Sequence, residues 1–176
     1  MGSGKLRFLY AWDCSEISRK RMRNWMLVVA GLFAAMPLAE AANADLCGPL
    51  RRFVESVKPG ETRRLEFHTS WLADFKDSAG ADIVSAKRCM HFDYGPAKVV
   101  CAYLMEHSAT EFADNNAKDA IRCLSKKTRF ADRLALDGIQ ISFSYGSDER
   151  GSHIDLQYSE DPQLGGMILS ITASGY

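Results

Sequence analysis

From Leu46 onward the apolar positions first recur at a helical interval: Leu46, Leu50, Phe53, Val54 and Val57 line one side of a helix over residues 46–58. Asp45 stands where a capping residue belongs, and Pro59-Gly60 stops the segment. Thr62 to His68 sets Leu65 and Phe67 on one face of a strand. Thr69 to Ser85 has few apolar repeats and is expected to be a long loop whose only large anchors are Trp71 and Phe75. Residues 86–94 and 97–105 are expected to pair as a hairpin turning at Tyr94-Gly95-Pro96. Pro96 also suits the first position of a helix, so the choice of strand rests on the symmetry of Cys89 and Cys101 about Gly95.

Ser108-Ala109-Thr110-Glu111 has the form of a capping box, and Phe112, Ala113, Asn116, Ala117, Ala120, Cys123 and Leu124 share one side of the helix it would open, ending at Ser125. Asn116 falls inside that apolar arc, where its amide needs partners such as a loop backbone. From Gly138 the period becomes two. Ile139, Ile141, Phe143 and Tyr145 alternate with polar residues, as do Ile154, Leu156 and Tyr158, and Met167, Leu169, Ile171 and Ala173 supply a third row. The expected fold is α+β: a two-layer sandwich of a mainly antiparallel sheet, ending in a three-stranded meander, with two helices packed on one face.

Ahead of this domain stands a different kind of segment. The basic cluster Arg19-Lys20-Arg21-Met22-Arg23 precedes an apolar run from Trp25 to Met36, then Pro37 and the small residues Ala39 to Ala44. A positive region, a short apolar core and an Ala-x-Ala site at Ala42-Asn43-Ala44 have the order of a secretory signal peptide; the run falls short of the roughly 20 residues a spanning helix needs. Translation is expected to start at Met22. On that division residues 1–21 are a non-native extension that carries Cys14, residues 22–44 are the signal peptide, and residues 45–176 are a single domain of periplasmic or secreted location with no stable membrane anchor.

Export changes how the cysteines read. Cys47, Cys89, Cys101 and Cys123 remain, an even set that implies two disulfides in an oxidising compartment. Cys89 and Cys101 pair across the expected hairpin, and Cys47 and Cys123 pair by elimination, tying the first helix to the end of the second. Without a Cys-x-x-Cys or Cys-x-x-His spacing, neither a zinc site nor a redox-active dithiol is expected.

Charge narrows the partners. Six of the 22 basic residues and three of the 22 acidic ones precede Asp45, which leaves 16 basic against 19 acidic in the domain. A mildly acidic domain without a Lys/Arg stripe offers no electrostatic footprint for nucleic acid or an anionic membrane. The chain also lacks His-Glu-x-x-His, Gly-x-Ser-x-Gly, a phosphate loop and Gly-x-Gly-x-x-Gly, and no cofactor or metal is expected.

What remains are two regions able to meet a partner. Trp71, Asp74 and Phe75 form an aromatic segment in the long loop, and His153, Asp155 and Gln157 form a polar row on the outer face of a strand. Together they point to a small binding or inhibitor-type protein acting on another protein in the cell envelope, without catalysis of its own. Two alternatives stay open: a small hydrolase using His153 and Asp155 or the cluster Glu106, His107 and Glu111, and a structural accessory of a larger envelope assembly.

Overall fold

Residues 45–78 and 84–176 are described by the computed structural model, so the expected signal peptide, the expected start at Met22 and Cys14 lie outside the described residues. Helix α1 (Cys47–Glu55) leads into strand β1 (Thr62–Trp71) and strand β2 (Ser85–Met90). Helices α2 (Gly95–His107) and α3 (Asp114–Leu124) follow, and the chain closes with strands β3 (Ile139–Gly146), β4 (Gly151–Glu160) and β5 (Met167–Gly175). The five strands form one sheet in the order β2-β1-β5-β4-β3, with every neighbouring pair antiparallel. The meander β3-β4-β5 therefore forms one side of the sheet, and β5 then pairs with β1.

Apolar residues of the inner face, among them Leu65, Phe67, Ile154, Leu156, Leu169 and Ile171, are buried against Leu50, Phe53 and Val54 of α1, Val100 and Leu104 of α2, and Ala117 and Ile121 of α3. Each such large side chain contributes roughly 1.5–3 kcal/mol by leaving water, and this single seam of contact is why sheet and helices form two layers. The domain is the α+β sandwich that the periodicity predicts, with three helices in place of two.

The additional helix is α2, where a second hairpin strand was expected. Pro96 sits in its first turn, where the ring presets the backbone dihedral and the missing N–H costs no bond. The buried positions that follow are Ala97, Val100, Cys101 and Leu104, a helical spacing. Gly95 is thus the start of a helix, reached through a turn in which Phe92 and Asp93 take positive φ values of 46° and 55°. The expected disulfide forms all the same, because α2 packs beside β2: Cys89 and Cys101 are bridged with their Cα atoms 5.5 Å apart. Cys47 and Cys123 are bridged at 4.7 Å, joining the first turn of α1 to the last turn of α3.

Two further boundaries differ from expectation. β1 continues to Trp71, so the connecting loop is shorter and begins at Leu72. α3 begins at Asp114 and not at Ser108, and no capping box forms: the buried Ser108 hydroxyl has no partner among the described residues, and Glu111 is exposed. Asn116 performs the closure instead. Its Oδ1 accepts the Ala109 N–H at 3.1 Å and its Nδ2 donates to the Ala109 carbonyl at 2.7 Å, so the buried amide holds the α2–α3 connection. At α1, Asp45 does cap, accepting the Gly48 N–H at 2.9 Å.

Candidate functional site

Strand β4 alternates buried Ser152, Ile154, Leu156 and Tyr158 with exposed His153, Asp155 and Gln157, so the polar row lies on the outer face as its period of two requires. His153 and Asp155 do not bond each other. The His153 Nδ1 shares a 3.1 Å hydrogen bond with Ser144 Oγ, and Ser142 Oγ donates to Asp155 Oδ1 at 2.5 Å. The imidazole also lies against the Tyr176 ring, with centroids 5.1 Å apart. Each group is thus held by a serine of β3, and no carboxylate orients the imidazole as a general base would need.

Trp71, Asp74 and Phe75 are separated by the sheet. Trp71 continues the inner row of Leu65, Phe67 and Thr69 and stands 40% exposed at the end of β1, facing the helix layer. Phe75 turns back over the outer face, where it is buried. Asp74 Oδ1 accepts the Phe75 N–H at 2.7 Å and shapes the turn between them. Neither aromatic belongs to the main core. Glu106 and His107 end α2, with His107 against Tyr103 at 4.7 Å, whereas Glu111 lies in the turn before α3 and lines a separate cleft.

Beneath Phe75 lies a cluster that the sequence pattern did not reveal. The His68 ring meets Phe75 edge-on at 6.5 Å, and the Arg88 guanidinium lies over the Phe75 ring at 4.8 Å while pairing with Asp77. His68 Nδ1 donates to Asp161 Oδ2 at 2.7 Å, and its Nε2 faces Glu66 Oε2 at 3.7 Å without a hydrogen bond. Glu66 in turn pairs with Arg64. Burial pushes the Asp161 carboxyl up, but the N–H groups of Leu164 and Gln163 and the His68 ring outweigh it and hold it below its ordinary value. Chemically this is an imidazole oriented by a carboxylate. With His68 only 4% exposed, it acts in this structure as a clasp between β1 and the β4–β5 turn. The only sequence signal for it is that Glu66 and His68 interleave with Leu65 and Phe67; nothing local points to Asp161.

A cleft of about 490 Å³ opens at the Trp71 end of the sheet, between the turn before α3 and the segment 135–137. Trp71 and Phe112 form aromatic walls, Phe112 being 61% exposed. Glu111, Asp114, Asp137 and Glu160 bring four carboxyls to the lining, and no lysine or arginine is among its residues. Asp114 is already engaged by Lys118 at 2.5 Å and by the Leu136 N–H at 3.1 Å. The Tyr158 phenol also reaches this cleft; burial, together with the negative charges of Asp114 and Asp137, pushes it up to about 12. A larger hollow of about 740 Å³ lies between α1, the end of α3 and the β3–β4 hairpin. There Tyr145 already donates to Glu55 at 2.8 Å and Arg150 to the Val57 carbonyl at 3.2 Å.

Among the described residues no group of three or more His, Cys, Asp or Glu side chains is placed to hold a metal ion, and no helix is long and apolar enough to cross a membrane. No family model matches the chain, and no curated protein or solved structure is significantly similar to it.

Proposed function

We propose that the domain from Asp45 onward is an exported binding protein of inhibitor type, which engages another protein of the cell envelope and has no catalytic activity of its own. The observation that carries this reading is the pair of solvent-exposed aromatics, Trp71 and Phe112, that line one cleft. Large exposed aromatics beside a concavity are the side chains that concentrate binding energy in protein interfaces. Two disulfides across a domain of this size fit an oxidising, exported setting. The hydrolase alternative draws no support from His153 and Asp155, which are held by separate serines.

The test is a pull-down with the oxidised protein from a periplasmic extract, followed by affinity measurement of Trp71→Ala and His153→Ala against the recovered partner. Trp71→Ala is expected to weaken the complex at least about tenfold with little change in melting temperature, because truncating an interface aromatic typically costs about 2 kcal/mol while this one is half-exposed in the free domain. Unchanged affinity in both variants overturns the reading.

A further inference from the structure

We propose that the Trp71 cleft binds an organic cation, the ammonium or guanidinium group of a lysine or arginine side chain presented by the protein partner. The inference rests on the binding reading for the source of the cation and on the cleft for its chemistry. Of the four lining carboxyls only Asp114 has a basic partner; Glu111, Asp137 and Glu160 are exposed at the rim without one among the described residues. The lining is therefore negative and unbalanced, which attracts positive charge and repels anions.

Tyr158 supplies a second and independent indication. It is 95% buried by its 5% exposure, yet it lines the cleft, and its hydroxyl has no hydrogen-bond partner among the described residues. The phenol oxygen opens onto the cleft and feels the negative charges of Asp114 and Asp137, and a cationic N–H is a donor that both it and the carboxylates accept. The walls then decide what kind of cation. Trp71 and Phe112 present ring faces or edges to an apolar stem, and an ammonium or guanidinium within about 6 Å of such a ring gains cation–π attraction. A bare metal ion needs several converging oxygens, an arrangement not found among the described residues. A cavity of about 490 Å³ with an open mouth admits one long side chain at a time.

The experiment titrates the oxidised protein with a tetralysine peptide, the same peptide acetylated at every Nε, and free cadaverine, following backbone and Trp71 indole signals by NMR at low salt. Tetralysine is expected to bind with a Kd on the order of 1 mM or tighter, to shift Trp71 and Tyr158, and to weaken at least about fivefold in Asp137→Asn/Glu160→Gln, whose two side chains are exposed and leave the core untouched. Acetylated peptide binding as well as the unmodified one, or no shift at Trp71 and Tyr158, overturns the inference. Cadaverine binding about tenfold more tightly than the peptide overturns the assignment to a presented side chain. The two readings fail separately. If the peptide does not bind but Trp71→Ala still weakens the partner complex, only the cation inference falls; if the peptide binds but the partner is indifferent to both Trp71→Ala and His153→Ala, the protein-binding reading falls and with it the assignment to a partner's side chain, while the cation chemistry of the cleft stands.

Discussion

His68 in the middle of β1 donates through Nδ1 to Asp161 at the end of β4, across 2.7 Å of space and 93 residues of sequence. Asp161 also accepts two backbone N–H groups of its own turn, so one carboxylate fixes both that turn and the buried imidazole. Phe75 closes over the pair, and the loop after β1 is thereby held to the outer face of the sheet.

Removing that carboxylate should be costly and pH-dependent. Asp161→Ala strands His68 Nδ1 and the N–H groups of Gln163 and Leu164, and leaving buried donors without their carboxylate acceptor costs about 3 kcal/mol. The Asp161 carboxyl titrates below its ordinary 3.8 in the folded state. Its contribution is therefore complete above pH 3.8 and disappears as pH falls through the lower folded value. Urea denaturation should show a large difference between wild type and Asp161→Ala at pH 7 and a smaller one at pH 3.

The two disulfides should contribute unequally. Cys47–Cys123 closes 76 residues and Cys89–Cys101 closes 12. Loop-closure entropy assigns about 4.5 kcal/mol to the first and about 3 kcal/mol to the second. Paired Cys→Ala substitutions, compared by chemical denaturation, should lower stability in that order.

Asn116→Ala should destabilise the connection between α2 and α3. It deletes two hydrogen bonds and leaves the Ala109 N–H and carbonyl without their partner, at a cost of about 2 kcal/mol. Asn116→Asp keeps the acceptor but sets a carboxylate against the Ala109 carbonyl, and it should be no better than alanine in a thermal melt.

Gly166→Ala should be among the most damaging single methyl additions. Gly166 has φ of +75°, and an added Cβ would run into the Thr69 carbonyl and the Ser70 backbone of β1. Strain at such a φ alone costs about 1–3 kcal/mol, and the clash adds to it. The measurable outcome is a lowered denaturation midpoint together with loosened hydrogen-exchange protection at Thr69 and Ser70.

Much of this architecture was legible along the chain. The helix from Cys47 and the three strands of the meander follow from local period and capping, because each depends on residues a few positions apart; the cystine pairing is as expected although the hairpin it was read from is a helix packed beside β2. The segment after Pro96 is ambiguous in sequence because Ala-Lys-Val-Val-Cys is a short apolar run that suits strand or helix, and packing beside β2 decides for helix. In place of a capping box at Ser108, Asn116 closes the turn with its two backbone bonds.

The candidate site was legible only in fragments. Local chemistry identified Trp71 as an anchor and His153, Asp155 and Gln157 as an outer row, since strand alternation assigns a face to every residue. It could not place Trp71 and Phe75 on opposite faces, nor bring Glu111, Asp137 and Tyr158 to one cleft, nor set His68 on Asp161. Those relations join strands and turns far apart in the chain. They are determined when the last strand, β5, pairs with the first, β1, a long-range choice made by the summed burial of the inner face and not by any single stretch of sequence.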